Sequence, residues 1–200
     1  MVHSYKDSQT LEALAKGVGK MGSTHESLST QCINILCHLS KPALGLRILR
    51  SVVHSFHSIG SAWSKKKSIF TPLIEIMKRP DSKLRIDCIN AIKTQLEGYW
   101  ERPVDVLKNI IINDDDYQVR CAAVMSLGEL GEFGALSIRE SIYELIEAIS
   151  KQVLGLKHEM AKTLKKGPTT IDVQYKLKDS KEILKILYHY AKVYKYRLSR

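Results

Sequence analysis

The feature that most constrains this chain is a stretch that recurs. RPDSKLRIDCINAIKTQLEG, residues 79–98, returns 35 residues later as NDDDYQVRCAAVMSLGELG, residues 113–131. Setting Asp81 over Asp116 also aligns Leu84 with Val119, Arg85 with Arg120, Ile89 with Val124 and Ile92 with Leu127. The register holds further on, where Leu107 falls on Ile142, Ile110 on Leu145 and Ile111 on Ile146. A period in this range with two helices per unit predicts stacked helix pairs, each burying its apolar face against the next.

Asp81 and Asp116 stand where an N-cap is needed, with a carboxylate to accept backbone N–H bonds and complement the positive end of the helix dipole. The string Asp116-Tyr117-Gln118-Val119-Arg120-Cys121-Ala122-Ala123, followed by Leu127-Gly128-Glu129-Leu130, resembles the short HEAT repeat also found in phycobilin-lyase-like proteins. The resemblance is good over about 81–149 and looser before it. It implies an all-α, right-handed solenoid of four helix pairs, in which Arg85 and Arg120 reach the Asp of a neighbouring repeat through bidentate hydrogen bonds. Under that reading Asp81, Arg85, Asp116 and Arg120 are structural residues of the repeat. A repeat architecture names no function by itself.

Before the repeats, spacings of three and four place Leu11, Leu14, Val18 and Met21 on the buried side of a first helix starting near Ser8 or Gln9, weakened by Gly17 and Gly19. Ser23 and Glu26 read as a capping box for a second helix. This pair has no Asp/Arg signature and reads as an atypical terminal repeat. Lys41-Pro42 starts a third helix with the stripe Leu46, Leu49, Val52, Val53, Phe56 and Ile59. Leu46-Arg47 there matches Leu84-Arg85 at an offset of 38, but Ala43 stands where the Asp belongs.

Beyond the repeats, apolar positions from Ile142 to Leu164 step by three or four without a break, ahead of a Gly167-Pro168 stop, predicting a helix of about 28 residues. In TTIDVQYKLK, residues 169–178, Ile171, Val173, Tyr175 and Leu177 alternate with polar residues, which predicts an extended connector. A final helix follows, with Ile183, Ile186, Leu187, Tyr190, Val193 and Tyr194 on its buried side. The domain reading is therefore 1–150 for the repeats and 151–200 for a basic C-terminal extension.

Charge is unevenly spread. Residues 1–80 hold 11 Lys/Arg against 4 Asp/Glu, 81–150 hold 7 against 13, and 151–200 hold 13 against 4. Basic ends and an acidic middle suit polyanion binding at the ends, or end-to-middle pairing in an oligomer. No apolar run approaches the ~20 residues of a membrane span, and the first ten residues lack a signal-peptide core, so a cytoplasmic location is expected. Cys32, Cys37, Cys88 and Cys121 show no CxxC spacing and read as reduced core residues.

The sequence offers no catalytic motif, and no cofactor or metal is expected. His54 and His57 lie three apart on a helix, without a carboxylate or cysteine in the next turn to complete a metal site. Asp114, Asp115 and Asp116 read as capping and solvation. The residues singled out for partner contact are Trp63 with Lys65, Lys66 and Lys67, and, in the basic C-terminal part, Lys165, Lys166, Lys185, Tyr188, Lys192, Lys195 and Tyr196. The leading expectation is a non-enzymatic scaffold that holds another protein. The alternative is a nucleic-acid-binding protein, architectural or DNA-glycosylase-like, using its basic ends. A bilin-lyase-like maturation role rests on the repeat resemblance alone. A basic groove would favour nucleic acid, and charges scattered around the ends would not.

Overall fold

The structure, a computed structural model, describes residues 2–41, 43–63, 69–94, 101–132, 136–164 and 171–198. Among these residues the chain forms nine α-helices and no strand: α1 (Val2–Thr24), α2 (Glu26–His38), α3 (Leu46–Ala62), α4 (Phe70–Met77), α5 (Ser82–Lys93), α6 (Glu101–Asn113), α7 (Tyr117–Glu132), α8 (Leu136–Leu164) and α9 (Ile171–Leu198). The all-α class read from the periodicity is the class observed. The helices gather into two compact units, residues 1–103 and 104–200. The long helix expected to run through residue 150 is α8, which is unbroken there.

In the first unit α3 is central, packing against α1, α2 and α5, while α4 packs on α5. Its core is aliphatic: Ile33, Leu36, Leu49, Val52, Phe56, Ile59, Leu73, Leu84, Ile89 and Ile92 are all removed from solvent. The buried side of α1 differs from the one its large residues suggest. Ala15, Val18, Gly19 and Gly22 face inward, whereas Leu14 and Met21 are 45% and 49% exposed. The cause is close approach. A Cβ on Gly19 would stand 2.9 Å from the Cα of Ser55 and closer still to its Cβ and Oγ. One on Gly22 would meet Ile59 Cδ1 at 2.7 Å and Cys32 Cβ at 2.8 Å. Ser55 Oγ lies 2.9 Å from Ala15 O and 2.8 Å from Ser51 O, so its hydroxyl joins α3 to α1 where no side chain would fit. The dense contact of two backbones here outweighs the burial of Leu14 and Met21 on the other face.

The helix starts are mixed. Asp81 caps α5 as expected, accepting from Leu84 N at 2.7 Å. Asp116 accepts from Gln118 N at 2.8 Å and Val119 N at 3.3 Å, so it caps α7 in the same way. The Ser23/Glu26 capping box does not form. α1 runs on to Thr24, so Ser23 Oγ donates to Lys20 O within that helix, and α2 begins behind His25 without a side-chain cap. α3 starts at Leu46 behind Gly45, and Pro42 lies outside the described residues.

In the second unit α9 packs along both α7 and α8. Residues 171–178, expected as an extended connector, are its first two turns. Their alternating pattern fits a helix equally well once the burial is known. Val173 and Leu177 are buried four residues apart, and Tyr175, which a strand would place on their side, is 61% exposed. The buried line continues through Ser180, Ile183, Leu187, Ala191 and Tyr194 at helical spacing. Gly128 and Gly131 of α7 make room for it, since a Cβ at the first would strike the ring of Tyr190 and one at the second the hydroxyl of Tyr194. Tyr194 is buried to 1% exposure and donates its hydroxyl proton to Gly128 O. The C-terminal helix therefore closes over α7 and α8. The 29 residues of α8 match the length read from the sequence, and the last third of that helix lies beside α9.

Candidate functional site

The Asp81 carboxylate accepts from Arg50 Nη2 at 3.1 and 3.2 Å as well as from the α5 N-terminus. The N–H of Leu84 and then the Arg50 guanidinium hold its carboxyl below the usual Asp range. Arg50 belongs to α3, which packs on α5, and lies 35 residues before Arg85 and 70 before Arg120. Arg47, at an offset of 38 from Arg85, pairs instead with Glu12 at 3.3 Å. Arg85 and Arg120 each serve the end of a preceding helix as well. Arg85 Nη1 donates to Arg79 O at 3.0 Å and Arg120 Nε to Ile111 O at 2.7 Å. Gln152 Nε2 takes the neighbouring carbonyl of Ile112 at 3.1 Å.

Of the residues expected to contact a partner, Trp63 has a structural role. It follows the last residue of α3, is half-buried, and donates its indole N–H to Gly22 O on α1 at 2.9 Å. Lys65, Lys66, Lys67, Lys165 and Lys166 lie outside the described residues, as does the side chain of Tyr196 on α9. The others fall together. Lys185, Tyr188, Lys192 and Lys195 occupy one exposed line of α9, and Lys178 and Lys181 extend it toward the helix start. Steps of three and four along 178, 181, 185, 188, 192 and 195 keep all six on one side. Lys178 escaped the sequence reading because its segment was assigned to a connector; a helix beginning at 171 brings it into line.

In this stripe Lys185 is held by Glu182 at 2.7 Å. Lys178, Lys181, Lys192 and Lys195 have no ion pair among the described residues, and Tyr188 between them is 55% exposed. Beside the first half of the stripe is a hollow of about 310 Å³, lined by Met160, Leu177, Gln174 and Glu182 with Lys178, Lys181 and Lys185.

Two other hollows carry titratable groups. One of about 400 Å³ in the first unit is lined by Arg50, His54 and His57 of α3 and by Asp87, Asn90 and Lys93 of α5. It supplies His54 and His57 with the neighbouring carboxylate that local sequence lacked, yet no group of three or more His, Cys, Asp or Glu is placed to hold a metal ion among the described residues. The second, about 640 Å³ in the second unit, is lined by Asp114, Asp115, Glu159, Asp172 and Asp179 with Arg120 and Lys176. Much of its acidity is spent locally. Asp114 accepts from Asp116 N at 2.9 Å, and Asp172 pairs with Lys176 at 2.9 Å. Tyr117 at its wall bonds to Cys121, which with burial pushes its phenol up to about 12.

All four cysteines are free. Cys32 and Cys88 are buried and Cys37 and Cys121 half-buried. Burial pushes the Cys88 thiol far above the usual thiol range, which leaves it protonated and unreactive. No described helix is long and apolar enough to cross a membrane. Compared with protein-family models, with curated proteins and with solved structures, the chain finds no match.

Proposed function

We propose that the chain is a right-handed α-solenoid of HEAT-like helix pairs and that it works as a scaffold holding a partner protein. The architecture is supported by the arginines at 50, 85 and 120, one period apart, and by the link from Arg50 of one pair to Asp81 of the next. Such a link joins successive layers of a stack through a charge-assisted bond, which is the use a repeat array has for it.

The observation that carries the function is the outer face of α1. Thr10, Leu14, Gly17, Met21 and Thr24 follow one another at steps of three and four, all exposed and none charged. A terminal helix that faced only water would carry a polar outer side. This one presents Leu14 and Met21 seven residues apart, with no side chain at Gly17 between them, so another helix can approach closely. An apolar helix face of a partner protein fits this surface.

Site-specific photo-crosslinking in cells making the full chain tests this, with the reactive side chain at Leu14, Gly17 or Met21 and a control at Lys20. A discrete cross-linked partner from the first three positions, lost when Leu14→Lys and Met21→Lys are combined, is the expected result. Equal cross-linking from Lys20, or none from any position, overturns the reading.

A further inference from the structure

We propose that the lysine stripe of α9 is a binding surface for single-stranded nucleic acid. This does not rest on the α1 face, which belongs to the other unit. The stripe runs from Lys178 to Lys195, a rise of about 26 Å along the helix. Four of its five lysines have no ion pair among the described residues, and the fifth is held by Glu182. Asp179 and Glu182 lie on its flank, half-buried, so no carboxylate interrupts the exposed line itself.

Charge alone would serve any polyanion. The choice of a single strand comes from what accompanies it. Tyr188 sits in the middle of the lysines, exposed, with its ring free to take the face of a base, and Tyr175 is exposed on the first turns of the same helix. Bases are open for such stacking only when unpaired. The hollow beside Lys178, Lys181 and Lys185 offers Met160 to a second base, with ammonium groups at its rim for the adjoining phosphates and the Glu182 carboxylate in its wall held by Lys185. A duplex presents none of its base faces, and a lipid surface would need an apolar edge along the helix rather than an alternation of lysines around one tyrosine.

The salt dependence follows from the count. Four unpaired lysines neutralising four phosphates of a single strand give a slope of log K against log salt of about −3, which is about a 50-fold loss of affinity between 50 and 200 mM salt. Removing two of them leaves about a 7-fold loss over the same range.

The test is fluorescence anisotropy of the full chain with a labelled oligothymidine or oligouridine of about 12 nucleotides, against a duplex of the same length and vesicles containing an anionic lipid. Expected are binding to the single strand with the steep salt slope, a flatter slope for Lys192→Ala with Lys195→Ala, and a 5-fold or greater weakening for Tyr188→Ala at fixed salt. All three positions are exposed, so circular dichroism of the variants should match that of the parent chain. No binding at 50 mM salt overturns the proposal, as does affinity indifferent to the lysine pair. Tighter binding to the duplex, with Tyr188→Ala harmless, overturns the single-strand assignment, and binding to vesicles alone replaces nucleic acid with a membrane surface.

Discussion

Two glycines on one turn of α1 should respond to the same substitution with opposite sign. Nothing lies within 4 Å of a Cβ built on Gly17, whereas one on Gly19 would run into Ser55, including its backbone Cα at 2.9 Å. Alanine is favoured over glycine in a helix interior by about 1 kcal/mol, and Gly17→Ala should keep that gain. Gly19→Ala gains it too but cannot be accommodated by a side-chain rotation, because the obstacle includes main chain. α1 has to lift from α3, at an overpacking cost of about 1–3 kcal/mol. The lift also lengthens the Ser55 bond to Ala15 O, worth about 1 kcal/mol. The net loss is then about 2 kcal/mol, and the two variants should differ by about 3 kcal/mol. For a chain of this size that separates their melting temperatures by roughly 6–12 °C, with Gly17→Ala above the parent. Fluorescence of Trp63 is a suitable probe because its indole N–H is bonded to Gly22 on α1. Hydrogen exchange over α1 and α3 should show the loss in Gly19→Ala located there. Gly19→Ala melting at or above Gly17→Ala would refute the close-approach argument.

Asp81→Asn removes a carboxylate whose pKa is lowered by Leu84 N–H and Arg50. Its stabilisation is present above the unfolded value near 4 and is lost as pH falls through the lower folded value, so the deficit of the variant in urea titrations should be full at pH 6 and shrink once pH falls below the unfolded value. Tyr194→Phe, which loses only the hydroxyl bond to Gly128 O, should cost about 1 kcal/mol, and Tyr194→Ala, which also empties a fully buried site, about 3–5 kcal/mol. Hydrogen exchange should place both losses in α7 and α9, and equal costs for the two variants would remove Tyr194 as the closure of the second unit. Thiol labelling of the native chain should reach Cys37 and Cys121 first, with Cys32 and Cys88 reacting only on unfolding; early modification of Cys88 would contradict its burial.

Much of the helical layout was legible because it depends on neighbours in sequence. Asp81 and Asp116 cap their helices through bonds spanning two or three residues, and the unbroken apolar steps of α8 set its length within one helix. The stripe on α9 was half legible, since its lysines were visible but not the helix register that aligns Lys178 with Lys195. The Asp/Arg link was legible in kind and missed in partner. Arg50 stands at the 35-residue spacing, but the local likeness of Leu46-Arg47 to Leu84-Arg85 drew attention to its neighbour.

The sequence by itself determined the helical class, the 35-residue period and the capped starts of α5 and α7, because hydrogen bonds and apolar spacing within a few residues are enough to specify them. Only the tertiary structure decided that Gly19 and not Leu14 faces α3, that residues 171–178 coil rather than extend, and that α9 lies on α7 and α8. Those outcomes depend on contacts between residues far apart in the chain, such as Ser55 against Gly19 and Tyr190 against Gly128.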